Sequence, residues 1–93
     1  MILLHCNKGK SDKVWGWTET ADGAVSFWGR RKAKTLSFMR YSDKYQAKEV
    51  ARQKYIKGYD MIEGPQEDYL PEDFQGQMML AALGMVRESV KNN

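Results

Sequence analysis

The stretch from Lys13 to Arg30 constrains this chain more than any other, because it reads as the two strands of one hairpin. Lys13–Thr20 alternates in polarity and is rich in aromatic and β-branched side chains, the pattern of a half-buried strand. Asp22-Gly23 is a hairpin-turn pair, and Ala24–Arg30 returns as the second strand. With Asp22 and Gly23 as the central turn residues, Trp17 faces Trp28, Gly16 faces Gly29 and Trp15 faces Arg30. One face then carries Trp15, Trp17, Trp28 and Arg30; the other carries Val14, Thr18, Val25 and Phe27. Cross-strand aromatic pairs add roughly 0.2–1 kcal/mol each, and an Arg over a Trp adds a cation–π contribution. A three- or four-residue loop moves the pairing, and a shift of one residue exchanges the two faces.

The rest of the chain builds on that hairpin. Ile2–Cys6 reads as a short strand before it, closed by the polar turn Asn7–Asp12. Leu36–Tyr41 is a further return, with Leu36 and Phe38 on one face and Met39 and Tyr41 on the other. Ser42-Asp43 then opens a helix, with Asp43 and Gln46 at capping-box spacing. Ala47, Val50, Ala51 and Tyr55 recur at helical spacing and are expected to face the sheet. Lys44, Lys48 and Arg52 form a basic stripe, either a solvated face or an anion-binding flank. Lys54 and Lys57 suit the negative end of the helix dipole, and Gly58 is a natural stop. Tyr59–Ile62 is a candidate last strand. The expected class is α+β: a small antiparallel sheet of four to five strands packed by one helix, plus a C-terminal helix.

Residues 63–73 are acidic and hold both prolines. Pro71 sits where a second helix would start, with Glu72 and Asp73 in its first turn. Phe74, Met78, Ala82, Met85 and Val86 mark one face to about Asn92, and Met79, Leu83 and Val90 widen it. Such a face either packs on the domain or forms a partner groove or homodimer seam through Met78, Met79 and Met85. The expected division is residues 1–64 as the domain and 65–93 as an acidic linker with an amphipathic helix.

Ninety-three residues allow one domain and leave little room for an enclosed active site. The single Cys6 rules out an intramolecular disulfide and suits a reducing cytosol. His5 and Cys6 point to opposite faces of a strand, so they make no zinc site without several more ligands. The apolar start has no basic n-region, and the longest apolar run, Met78–Val86, is too short to span a bilayer. The expectation is a soluble cytoplasmic protein. Neither a nucleophile elbow, a phosphate loop nor a dinucleotide fingerprint is present. The chain therefore reads as non-enzymatic, with no cofactor and no metal.

Charge points to a polyanion. Residues 1–58 hold thirteen Lys and Arg against five Asp and Glu, whereas residues 59–93 hold two against seven. The densest cluster follows the second hairpin strand, where Trp28-Gly29-Arg30 runs into Arg31-Lys32-Ala33-Lys34. An aromatic ring beside several cations suits a stackable, anionic partner, and DNA is the first candidate.

Trp28-Gly29-Arg30, preceded by a hairpin and followed by a strand and a helix ending Lys54-Tyr55-Ile56-Lys57-Gly58-Tyr59, resembles the WGR domain family over roughly residues 2–62. That family occurs in DNA-dependent poly(ADP-ribose) polymerases, in bacterial proteins linked to molybdate metabolism and as small free-standing bacterial or phage proteins. Its usual glycines after the tripeptide are replaced here by Arg31, Lys32, Ala33 and Lys34, so the following turn is built differently. The resemblance implies that Trp28 packs on a terminal nucleotide and that Arg30 contacts phosphate or a neighbouring domain. The candidate DNA-binding set is Trp28, Gly29, Arg30, Arg31, Lys32, Lys34, Lys44 and Lys48. Recognition of ends or shape is expected, since no base-reading helix is evident. Three alternatives stand beside this reading: Trp28 as a core residue against Trp17 and the helix, a protein-interaction adaptor, and an acidic segment Asp60–Asp73 that folds over the basic patch and competes with DNA.

Overall fold

A computed structural model describes residues 1–84 of the chain. Five strands, β1 (Ile2–Cys6), β2 (Lys13–Thr20), β3 (Gly23–Arg30), β4 (Ser37–Tyr41) and β5 (Asp60–Met61), form one antiparallel sheet in the order β4-β3-β2-β1-β5. Helix α1 (Lys44–Lys57) joins β4 to β5, and helix α2 (Phe74–Ala82) follows a 3₁₀ turn at Gln66–Asp68. The expected class holds: a small antiparallel sheet, one helix packed on it and a second helix at the C-terminal end.

The strand alternation sorts the side chains onto two faces. Leu4, Trp15, Trp17 and Ala24 turn towards α1 and pack on Ala47, with Trp28, Tyr41, Val50, Ala51 and Tyr59 half-buried around them. Ser26 is also fully buried, and shares a hydrogen bond with the Tyr41 hydroxyl. Leu3, Val14, Val25, Phe27, Leu36 and Phe38 turn the other way, where Leu70, Phe74 and Ala81 join the same buried cluster. The sheet is thus the middle of three layers, and the chain after Gly64 supplies the third.

The hairpin keeps the expected faces but not the expected partners. Trp15 pairs with Trp28, Trp17 with Ser26 and Lys13 with Arg30. The register is displaced by two residues, which preserves the faces. The two-residue loop is Ala21-Asp22, and Gly23 opens β3 with φ 150°. Glycine is required there because a side chain would collide with the Tyr41 carbonyl at the end of β4.

Helix α1 begins and ends as its sequence predicts. The Asp43 carboxylate accepts from the amides of Tyr45 and Gln46. Gly58 closes the helix at φ 111°, with its own amide on the Tyr55 carbonyl and that of Tyr59 on Lys54, a Schellman motif. Tyr55 does not face the sheet; it is exposed, and Lys54 takes the inward position seven residues after Ala47. Helix α2 turns Phe74, Met78 and Ala81 inward, so Ala81 rather than Ala82 is the buried alanine, while Met79 and Leu83 are exposed. Met85, Val86 and Val90, and the helix expected to about Asn92, lie outside the described residues.

Candidate functional site

The end of the hairpin that carries Trp28-Gly29-Arg30 is where the cations converge. Antiparallel pairing sets Lys13, the first residue of β2, opposite Arg30, the last of β3. The final turn of α1 brings Lys54 over them, and the Schellman exit turns Tyr59 down beside it. Lys13, Trp28, Arg30, Lys54 and Tyr59 line a cleft of about 210 Å³. Trp28 serves two purposes, packing on the α1-side core with part of its ring while forming a wall of the cleft. The core packing that the sequence left open for this tryptophan is therefore present, and the rest of its ring stays accessible from the cleft.

The cleft is crowded with positive charge. Burial, reinforced by Lys57 and Lys13, holds the Lys54 ammonium below its ordinary pKa. Its Nζ lies 5.5 Å from the centre of the Tyr59 ring, and burial raises the Tyr59 hydroxyl above the usual tyrosine value, with a smaller push from Cys6. Among the described residues, none of Lys13, Arg30 and Lys54 forms an ion pair. A corner of cations without ion-pair partners is a place where an anion is stabilising on arrival.

The loop after β3 behaves differently. Arg31 donates from its backbone to Asp12 and from Nε to the Asp68 carbonyl, and its guanidinium lies 4.4 Å over the Tyr69 ring. Lys32, at φ 60°, donates from its backbone to the Tyr69 carbonyl and from Nζ to that of Glu67. Gln77 completes the clasp, accepting from the Leu36 amide at 3.0 Å and donating to the Lys34 carbonyl at 2.8 Å. His5 braces Tyr69 edge-on at 4.9 Å and meets Asp12 at 2.6 Å. The acidic segment does lie on the basic loop. Its hold is through backbone carbonyls, and no carboxylate–cation pair between the two is formed among the described residues. Arg31 and Lys32 are thereby committed to shaping the loop.

Lys44 and Lys48 stand apart from this corner. Both flank the exposed Tyr45 ring, at 5.7 and 5.5 Å. Ten residues of helix separate Lys44 from Lys54, about 15 Å of rise. Arg52, the third member of that stripe, is taken up by Glu49, whose carboxyl it holds below the usual range. The tripeptide, Lys13, Lys54 and Tyr59 are thus brought together, whereas Lys44 and Lys48 are not. Lys13 and Lys54 escaped the sequence reading because each needed one more fact: the true hairpin register for Lys13, and the exact inward angle of α1 for Lys54. Among the described residues, no group of three or more His, Cys, Asp and Glu is placed to hold a metal ion, and no helix is long and apolar enough to cross a membrane. Comparison of the chain with protein-family models, with curated proteins and with solved structures found no match.

Proposed function

We propose that this chain is a non-catalytic nucleic-acid-binding module of the WGR type, acting in the cytoplasm and gripping DNA ends or DNA structure without reading sequence. The observation that carries the reading is the convergence of Lys13, Arg30 and Lys54, none ion-paired among the described residues, on the open side of Trp28. Phosphates meet the three cations and a base or sugar stacks on the ring. Stacking is worth about 1–3 kcal/mol per base and tolerates any base; the phosphate contacts make affinity fall steeply with salt. Arg31 and Lys32 give the loop its shape, while Arg30 faces the ligand; Lys34 is exposed beside Pro71, Glu72 and Asp73, away from the cleft.

The experiment is a titration of the full chain against blunt, nicked and single-stranded DNA at two salt concentrations. Trp28→Ala is expected to weaken binding roughly 5- to 150-fold. Arg30→Ala and Lys54→Gln are each expected to lower the salt slope by about 1, while Lys44→Ala changes neither. Absence of binding at low salt, or equal binding by the wild type and the Trp28→Ala/Arg30→Ala pair, overturns the proposal. Deleting residues 65–93 is no substitute for these variants, because it strips Leu70, Phe74 and Ala81 from the core.

A further inference from the structure

We infer that the groove between α1 and β4 is a docking site for the extended C-terminal tail of a partner protein, added as a sixth strand with its terminal carboxylate at the Lys54 corner. Strand β4 is the last in the sheet order and pairs only with β3. Among the described residues, no backbone or side-chain group hydrogen-bonds its outer side. Such an edge is a template for one more strand. The opposite edge, β5, is only two residues long, so β4 is the longer template.

What lies beside that edge decides which strand fits. A groove of about 270 Å³ runs along it, floored by Trp15 and lined by Trp28, Met39, Tyr41, Val50 and Lys54. Alternation puts Met39 and Tyr41 on the α1 side and Arg40 on the other, where Asp22 holds it. The Tyr41 ring is fixed through its hydroxyl to Ser26. Residues of an added strand directly opposite Met39 and Tyr41 point into the same groove, which suits aliphatic side chains at alternate positions.

Strand polarity then places the end of the tail. Ser37 lies opposite Trp28 and Tyr41 opposite Ala24, so β4 runs away from the cationic corner. A chain added antiparallel runs towards it. The groove and the corner cleft adjoin, with Trp28 and Lys54 lining both. The tail's last residue therefore arrives beside Lys54, with Arg30 beyond it, and a terminal carboxylate supplies the anion that this corner lacks. Antiparallel addition, apolar pockets at alternate positions and carboxylate capture act together. This site goes beyond the nucleic-acid reading and does not depend on it; because both use Trp28 and Lys54, the two ligands exclude each other.

The test uses the full-length protein and two bead libraries of random heptapeptides, one with free C-terminal carboxylates and one with C-terminal amides. The carboxylate library is expected to enrich Val, Ile or Leu at alternate positions. The best resynthesised peptide is expected to bind at least ~10-fold tighter than its own amide, the fold-change of one charge-assisted contact. Its binding should move the amide resonances of Ser37–Tyr41 and Val50–Lys54. Lys54→Gln should remove most of the preference for carboxylate over amide without abolishing binding, and Met39→Glu and Val50→Glu, checked for an intact spectrum elsewhere, should abolish it. Equal enrichment from the amide library, no enrichment at all, resonance shifts confined to α2, or shifts at β4 that depend on protein concentration without peptide (a second copy) each overturn the proposal. So does single-stranded DNA that moves Met39 and Tyr41 when no peptide does.

Discussion

The two faces of the sheet are finished to different standards. On the side covered by the C-terminal segment, Val14, Val25 and Phe27 are fully buried and Phe38 is 1% exposed. On the other side a single fourteen-residue helix covers the central strands, and Trp28, Met39, Tyr41 and Val50 stay half-buried at its flank. One helix is about 10 Å wide, whereas five strands span about 19 Å between the outermost axes, so α1 alone leaves part of its face open. The sealed face holds the fold together; the unfinished one carries the cleft, the groove and the unpaired cations. The side chains that stabilise and those that recognise are thus largely separated by the sheet.

The largest test of that separation is a pair of truncations. Phe27→Ala on the sealed face is expected to cost about 3–5 kcal/mol in urea unfolding, and Trp28→Ala on the open face less than half as much. Equal costs would break the distinction. Next comes the clasp. Gln77→Ala leaves the Leu36 amide and the Lys34 carbonyl without their side-chain partner, at about 1–3 kcal/mol. It should speed hydrogen exchange at Leu36 well before it affects β1. Gly58→Ala forces a side chain into the left-handed region, about 1–2 kcal/mol, and displaces the end of Lys8. Because that residue sets the exit towards Tyr59, ligand affinity at the open face should drop along with stability.

The smallest effect is in alkaline pH. Burial, with Lys57 and Lys13, depresses Lys54 in the folded chain, so the folded state loses this proton before the unfolded state does. Stability rises with pH from the folded pKa up to the ordinary lysine value. Tyr59 is raised by burial, so it keeps its proton longer when folded, and stability falls once pH passes the usual tyrosine value of about 10. Lys54→Gln should remove the rise and leave the fall. Lys54 is only half-buried, and the difference stays below about 0.5 kcal/mol after screening. A pH series of thermal melts on the two proteins measures it, and parallel curves would show that Lys54 titrates as a free lysine.

Much of this architecture was legible because period and punctuation agree. The alternation of β2 and β3 fixed which side chains share a face, and Asp43 and Gly58 marked α1 at both ends. The register was not legible, for a physical reason. Asp22-Gly23 resembles a turn pair, yet Gly23 is demanded by the carbonyl of Tyr41, a contact from a strand eighteen residues later. A tertiary requirement had the appearance of a local one. The candidate site suffered from the same blindness. Trp28 and Arg30 announce themselves by adjacency, whereas Lys13 and Lys54 reach them only through strand pairing and helix phase. Lys44 and Lys48, conspicuous as a stripe, share the flank of Tyr45 instead.

The clasp on the basic loop has a consequence of its own. Its grip on Arg31 and Lys32 uses the carbonyls of Glu67, Asp68 and Tyr69, groups that neither titrate nor carry net charge. The carboxylates of Glu67 and Asp68 are left to act only at a distance, on the field around the corner. Posture and potential are therefore tuned by different atoms of the same two residues. Glu67→Gln and Asp68→Asn change how strongly the loop draws an anion while leaving the shape in which it waits.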